Sequence, residues 1–208
     1  MSEQKFVWTK THGNNYRKRY QNFTFKQKQK ITNVVLKHYF QVSDYPSYLI
    51  SCLNKLPAKQ IRVCELGGYE GYQALTVMEN VDKQLKWTNH DISLVAEYLT
   101  KKELHEKPYS FRLLTEPFYT QKLEAYDLFY SSKTLEHLSK EEALKCLEYT
   151  KDCRWQIHIV DWFKADDMHV LDSDHEELAG WFTGNGYRLV DCQDFGGGRS
   201  NFFAEKKT

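Results

Sequence analysis

The sequence predicts an α/β fold built on a doubly wound, mostly parallel β-sheet. From residue 61 onward, short apolar segments with strand character alternate with segments of helical periodicity. This alternation is typical of parallel strands whose two faces are covered by helices. The last two strands are joined by a connection too short for a crossover helix, which predicts a C-terminal antiparallel hairpin.

The predicted elements follow one another in a regular order. We expect seven strands, near residues 61–66, 86–91, 109–114, 126–131, 155–161, 186–192 and 200–205. Between them we expect helices near residues 70–81, 93–104, 139–150 and 174–183. Capping boxes mark two of the helix starts, Ser139 with Glu142 and Ser173 with Glu176.

Composition indicates an ordinary globular protein. The chain has 208 residues, of which 41 % are hydrophobic and 27 % charged. No apolar run reaches the roughly 18 residues of a membrane helix, and the first residues lack the apolar region of a signal peptide. The five cysteines show no C-x-x-C spacing. We therefore expect a cytoplasmic protein with reduced thiols and no metal site.

Residues 1–57 are predicted to be a basic N-terminal arm followed by helices, one over 26–40 and one over 46–56. Residues 1–40 contain nine Lys or Arg and one acid, a charge of +8, so the remainder carries 1 − 8 = −7. Basic residues interleaved with aromatic ones can bind nucleic acid. The overall pI of 7.6 and the lack of a recognised RNA-binding motif favour a solvated extension that could act as a lid.

The glycine-rich turn of residues 61–72, IRVCELGGYEGY, is the most informative segment. An apolar strand ends at Leu66, three glycines follow, and a helical pattern begins near Tyr72. Glycines let the backbone turn tightly and approach a ligand closely. The N-terminus of the following helix carries a partial positive charge. This segment predicts a site for a nucleotide-like cofactor.

An acid at the end of the second strand indicates which cofactor this is. Asp91 stands twenty residues after Gly71, where a carboxylate can accept hydrogen bonds from ribose hydroxyls. Its alternative role is to cap the next helix, but Ser93 can do that instead. Tyr69 breaks the G-x-G-x-x-G pattern of NAD sites, and no P-loop is present. Glu65 would repel phosphate and suits a cationic ligand such as S-adenosylmethionine (SAM).

The ordered segments ELGGYEG, HDIS and YDLFYSSKTLEHL resemble the class I SAM-dependent methyltransferases over about residues 60–205. The resemblance implies a Rossmann-like seven-stranded sheet, SAM as the cofactor and a methyltransferase domain over residues 58–208. Tyr69 replaces the middle glycine of the first motif of that family. Asp91 matches its ribose-binding acid, Ile92 the residue that packs on adenine, and Thr115 or Glu116 an adenine contact. The implied cofactor-binding residues are Glu65, Gly67, Gly68, Tyr69, Gly71, Asp91, Ile92, Thr115, Ser131 and Ser132.

The implied reaction is in-line attack of a substrate nucleophile on the SAM methyl group. The protein mainly has to position the two reactants, and an oxygen nucleophile also benefits from a general base. His137, which follows the fourth strand, and Asp161, which ends the fifth, are the catalytic candidates. Their alternatives are a structural histidine and a turn acid. A third candidate, His158, lies within a strand and is predicted to be a core residue.

No substrate-specific motif is present, so the acceptor is inferred from the fold alone. We expect O- or N-methylation of a small molecule such as a sugar or another biosynthetic intermediate. Trp162 could line its pocket, and Tyr16 could reach it from the arm. Arg199, beside three glycines, could hold an anionic group of the substrate, or the loop could be a plain exposed turn. The alternatives are an RNA or protein methyltransferase and a non-catalytic scaffold subunit with this fold.

Overall fold

The computed structural model describes residue 27 and residues 46–122, 124–161, 171–196 and 198–207. Seven strands form one sheet with the order β3-β2-β1-β4-β5-β7-β6. The strands are β1 (Gln60–Leu66), β2 (Gln84–Asp91), β3 (Tyr109–Leu113), β4 (Leu128–Ser132), β5 (Trp155–Asp161), β6 (Tyr187–Gly196) and β7 (Arg199–Lys206). The α-helices of the described residues are α1 (Ser47–Lys55), α2 (Tyr72–Glu79), α3 (Leu94–Glu103), α4 (Lys140–Tyr149) and α5 (His175–Gly184).

The strand directions confirm the predicted fold class. β1 pairs with β4, β2 with β3, and β4 with β5, all in parallel. β7 runs antiparallel to both β5 and β6. Only two residues separate β6 from β7. A connection this short can form a hairpin but cannot contain a crossover helix.

The chain divides into two compact units, and residues 68–115 belong to the first together with residues up to 61. Within the described part of this unit, α1 follows Pro46 and ends before Pro57, as the sequence predicts. Its face toward the core is fully buried, and Trp87 of β2 is buried as well. Lys83 fastens the end of α1 by donating to the backbone carbonyls of Leu56 and Ala58, at 2.7 and 2.9 Å.

The second unit comprises residues 62–67 and 116–208. Its core includes an aromatic cluster: Phe129 of β4, Phe182 of α5 and Phe202 of β7 are buried around His158 of β5. The predicted capping box of Ser139 and Glu142 is present at the start of α4.

The predicted cap of the last helix is wrong by one residue. Asp174, not Ser173, is the N-cap of α5, and its carboxylate accepts from the N–H of Glu177 at 2.8 Å. Ser173 instead donates its hydroxyl hydrogen to the Glu177 carboxylate at 2.9 Å. Asp prevails because a carboxylate accepts the N–H bond more strongly than a hydroxyl does.

Several predictions fall on residues that are not described. The helix over residues 26–40 lies outside the described residues, apart from residue 27, and so does the proposed lid. The boundary between residues 57 and 58 stays a prediction. Within the described part, no helix has the length and apolar character that crossing a membrane requires.

Candidate functional site

The glycine turn between β1 and α2 contains residues in the left-handed backbone region. Tyr69 has φ 47° and Gly71 has φ 76°. The turn is closed by a hydrogen bond from the Gly71 N–H to the Gly68 carbonyl at 3.2 Å. A Cβ on Gly71 would lie 2.5 Å from Tyr109 Oη and 2.9 Å from Leu104 Cδ1. Both the backbone angle and the tight packing therefore require glycine there.

Two side chains at the end of β2 hold this turn. Asn89 Oδ1 accepts from the Gly68 N–H at 2.9 Å, and Asn89 Nδ2 donates to the Tyr69 carbonyl at 3.0 Å. Asp91 Oδ2 accepts from the Tyr69 N–H at 2.9 Å. Asn89 and Asp91 are two residues apart in the strand and so share one face of it. The predicted ribose-binding acid therefore also fixes the turn.

Asp91 is nearly buried, with 8 % of its surface exposed. Burial raises the pKa of Asp91, and hydrogen bonds from the backbone N–H groups of Ser93, Tyr69 and Ile92 act in the opposite direction. Ser93 is the N-cap of α3 and accepts from the Ala96 N–H at 3.2 Å, which confirms that Asp91 is not needed as the cap. A carboxylate offers about four acceptor positions, so capacity remains for a ligand hydroxyl.

The other predicted adenosine-binding residues of the first unit lie near Asp91 along the chain or across the strand pair. Ile92 follows it directly and is half-buried. The Leu114 N–H donates to the Asp91 carbonyl at 2.8 Å, which brings the exposed Thr115 to the end of the same strand pair. The backbones of Asp91, Ile92 and Thr115 therefore lie where β2 and β3 end.

In the second unit, Gly67, which directly follows β1, lies close to the turn that follows β4. Glu65 is buried, with 2 % of its surface exposed. Gly67 has φ 78°, and a Cβ there would lie 2.3 Å from Thr134 Oγ1. Thr134 Oγ1 in turn donates to the Ser132 carbonyl at 3.1 Å. The glycine therefore allows the turn after β4 to pack directly on the end of β1.

Ser131 is fully buried and takes part in a polar network. Its Oγ lies 2.7 Å from His158 Nδ1, and His158 Nε2 lies 3.0 Å from Gln156 Oε1. Gln156 Nε2 donates to the Thr150 carbonyl at 3.2 Å, so Gln156 Oε1 is the acceptor and His158 carries its proton on Nε2. Ser131 then donates its hydroxyl hydrogen to His158 and keeps only lone pairs for any other partner.

His158 is a core residue, as the sequence predicts. It has no exposed surface, and burial lowers its pKa to about 3. Both ring nitrogens are engaged by neighbouring side chains. A neutral imidazole with its one lone pair already occupied cannot take a proton from a substrate.

Of the predicted catalytic and substrate-binding residues, the structure describes His137, Arg199 and the backbone of Asp161. His137 is half-buried in a short 3₁₀ turn, Leu135–His137, and its N–H donates to the Thr134 carbonyl at 3.0 Å. Asp161 ends β5 and pairs in register with the exposed Arg199 at the start of β7. The backbones of Asp161 and Arg199 therefore lie side by side at the carboxyl end of β5. The Asp161 side chain, Trp162 and Tyr16 lie outside what is described.

Sequence reasoning missed Asn89 and Thr134. Asn89 carried a usable signal, because it precedes Asp91 by two residues and so shares its strand face. Thr134 carried none, since its contact with Gly67 depends on how the turn after β4 folds back. Among the described residues, no group of three or more His, Cys, Asp or Glu side chains could hold a metal ion.

Comparison with known proteins identifies the fold. No protein-family model matches the chain, and no curated protein matches its sequence. Magnesium protoporphyrin IX methyltransferase from Synechocystis PCC 6803, solved with bound SAM, is similar over 100 % of this chain and 99 % of its own, with TM-score 0.67 and 16 % identity.

Two further solved structures agree. TehB from Haemophilus influenzae aligns over 83 % of this chain and 66 % of its own, with TM-score 0.61 and 15 % identity. Human N-acetylserotonin methyltransferase in complex with SAM aligns over 93 % of this chain and 59 % of its own, with TM-score 0.56 and 14 % identity. Identities this low establish the fold and nothing finer. The chain therefore has the class I SAM-dependent methyltransferase fold.

Proposed function

We propose that this protein is a SAM-dependent methyltransferase that transfers a methyl group to an oxygen or nitrogen of a small-molecule acceptor. The observation that carries the proposal is Asp91, a buried carboxylate at the end of β2 that also holds the glycine turn through the Tyr69 N–H. It occurs in a fold whose solved neighbours include enzymes with bound SAM or S-adenosylhomocysteine.

The residues at the end of β2 suit the adenosine part of the cofactor. The remaining acceptor position of Asp91 would take a hydrogen bond from a ribose hydroxyl, worth roughly 1.5–3 kcal/mol because the acceptor is charged. Ile92 would pack on the adenine, and Thr115 would offer a hydroxyl at its edge. Glu65 would attract the cationic amino-acid part. SAM would supply a methyl group already attached to a good leaving group, the sulfonium.

The chain itself would then mainly orient the acceptor. Fixing two reactants in a productive geometry can contribute roughly 7–11 kcal/mol to the barrier reduction. His137 or Asp161 would take the proton from an acceptor hydroxyl or amine, an effect worth about 10²–10⁴ in rate. His158 is not proposed for this role, because it is buried and both of its ring nitrogens are occupied.

Two considerations favour a small acceptor. Solved neighbours are named for acceptors of that size, magnesium protoporphyrin IX and N-acetylserotonin. Arg199 stands exposed in the β6–β7 hairpin, where it would bind a carboxylate or phosphate on the substrate. Trp162 and Tyr16 would complete the pocket, the latter through closure of the basic arm.

The test is methyl transfer from tritium-labelled SAM to three separate pools: low-molecular-weight metabolites, RNA and protein. We expect label in the metabolite pool and its loss in Asp91→Ala. Label in RNA or protein instead would establish one of the alternative acceptors. SAM binding without labelling of any pool would support the non-catalytic scaffold.

The general base can be assigned with the same assay. We expect either His137→Ala or Asp161→Asn to lower kcat by about 10²–10⁴ while leaving SAM binding intact. His105→Ala serves as the comparison, because it removes an exposed histidine that the proposal leaves out of proton transfer.

A further inference from the structure

The glycine turn contains an unusual residue for its backbone shape. Tyr69 has φ 47°, a left-handed conformation that L-residues other than glycine adopt at an energetic cost. It also occupies the position where the resembled motif has its middle glycine. Side-chain contacts must therefore stabilise a backbone conformation at Tyr69 that glycine would adopt without cost.

Asn89 makes contacts of the required kind. Its side chain is fully buried, and its two polar ends grip the backbone on either side of the Tyr69 Cα. Oδ1 accepts from the Gly68 N–H at 2.9 Å, and Nδ2 donates to the Tyr69 carbonyl at 3.0 Å. An amide is suited to this because it offers an acceptor and a donor at once.

The remaining backbone groups of the two residues are also paired. The Tyr69 N–H goes to Asp91 Oδ2 at 2.9 Å, and the Gly68 carbonyl accepts from the Gly71 N–H at 3.2 Å. All four polar backbone groups of Gly68 and Tyr69 are thus bonded in one conformation of the turn. A different conformation at Tyr69 would break the two Asn89 bonds together.

We propose that Asn89 is a positioning residue that holds Tyr69 in its left-handed conformation and so stands in for the absent glycine. On the basis of the proposed function, we further infer that the two Asn89 hydrogen bonds keep Asp91 oriented toward the cofactor. Without Asn89, the turn would keep the Tyr69 N–H bond to Asp91 and the bond from the Gly71 N–H to the Gly68 carbonyl. Asn89 acts on the cofactor only through the turn and through Asp91.

A merely structural role and a positioning role for Asn89 predict different effects of Asn89→Ala when residue 69 is changed. If Asn89 compensates for Tyr69, the loss of affinity caused by Asn89→Ala must be smaller when residue 69 is a glycine, which adopts the left-handed region without cost. Four proteins test this: wild type, Asn89→Ala, Tyr69→Gly and the double variant. Calorimetry gives the Kd for S-adenosylhomocysteine in each.

We expect Asn89→Ala to weaken binding by about tenfold in the wild-type background, the scale of one or two lost hydrogen bonds. In the Tyr69→Gly background we expect the same change to weaken binding by less than about threefold. An equal factor in both backgrounds would overturn the inference. Asn185→Ala is the matched control, because it also removes an amide that donates to a backbone carbonyl, that of Trp181 at 2.8 Å, and it lies outside the turn and the predicted cofactor site.

A second readout does not depend on the cofactor. Hydrogen exchange at the Gly68 and Tyr69 amides reports opening of the turn directly. We expect Asn89→Ala to speed exchange at both amides. Tyr69→Gly should reduce the effect at the amide of residue 69, because its acceptor, Asp91, is unchanged. If wild type binds no S-adenosylhomocysteine, the proposed function fails, whereas unchanged exchange in Asn89→Ala would contradict the role of Asn89.

Discussion

The buried His158 gives a prediction whose size follows from the structure. Its ring lies 5.2 Å from that of Phe129 and 5.7 Å from that of Phe182, centroid to centroid. Ser131 and Gln156 occupy its two nitrogens. In this apolar environment the charged imidazolium is strongly disfavoured, and the pKa falls from 6.5 to about 3.

A lowered histidine pKa makes the protein less stable in acid. Above pH 6.5 the imidazole is neutral in both folded and unfolded chains, so its stabilising contacts count in full. Below pH 6.5 only the unfolded chain takes up the proton, and this favours unfolding by about 1.4 kcal/mol per pH unit. At pH 5 the loss attributable to His158 should reach about 2 kcal/mol.

The assay is urea unfolding of wild type and His158→Gln between pH 7.5 and 5, with fluorescence and circular dichroism as paired probes. The variant should be less stable at pH 7.5, because it loses packing and hydrogen bonds. The free-energy difference from wild type should then shrink by about 2 kcal/mol as the pH falls to 5. His105→Gln, at an exposed position, gives the background. Parallel pH curves for wild type and His158→Gln would refute the reasoning.

Three further predictions concern stability. Gly67→Ala should lower the free energy of unfolding by roughly 2–5 kcal/mol, because residue 67 has a left-handed φ and the new Cβ would lie 2.3 Å from Thr134 Oγ1. Gly180→Ala is the control, and it should be neutral or stabilising because the space around Gly180 is open. Ser139→Ala should cost about 1 kcal/mol by removing the cap of α4, and an unchanged melting temperature would contradict this. Asp127→Asn should cost under about 1 kcal/mol at pH 7, because the ion pair with Arg62 is partly exposed. The Arg62 side chain lowers the pKa of Asp127, so the stabilisation is present above pH 3.8 and is lost as the pH falls through the lowered folded-state pKa. If wild type and Asp127→Asn still differ in stability below that pKa, the ion pair is not the cause.

The fold could be predicted from the sequence because its signals are local. Short apolar strands, helices with period near 3.6 and a two-residue connection between β6 and β7 each constrain the chain over a few residues. The cap at Ser139 has the same character, since both partners lie within one helical turn. The position of Asp91 at the end of β2 follows from the predicted strand and from its spacing of twenty residues after Gly71.

Side-chain pairing across the fold could not be predicted in the same way. Asn89 and Asp91 hold a turn some twenty residues earlier in the chain, and only the folded backbone reveals those bonds. Ser131 matched a cofactor-facing position of the resembled family, yet its hydroxyl hydrogen is committed to His158. Such contacts depend on strand register and rotamers, which no single spacing in the sequence encodes.

The most direct test of the central claim is whether Asp91 binds the ribose of the cofactor. Calorimetry would compare S-adenosylhomocysteine with its 2′-deoxy and 3′-deoxy analogues, each against wild type and Asp91→Asn. We expect wild type to lose about tenfold or more in affinity when a contacted hydroxyl is removed, and the variant to lose little further. Equal losses in both proteins would show that Asp91 does not contact the ribose, and no binding by wild type would contradict the proposed cofactor.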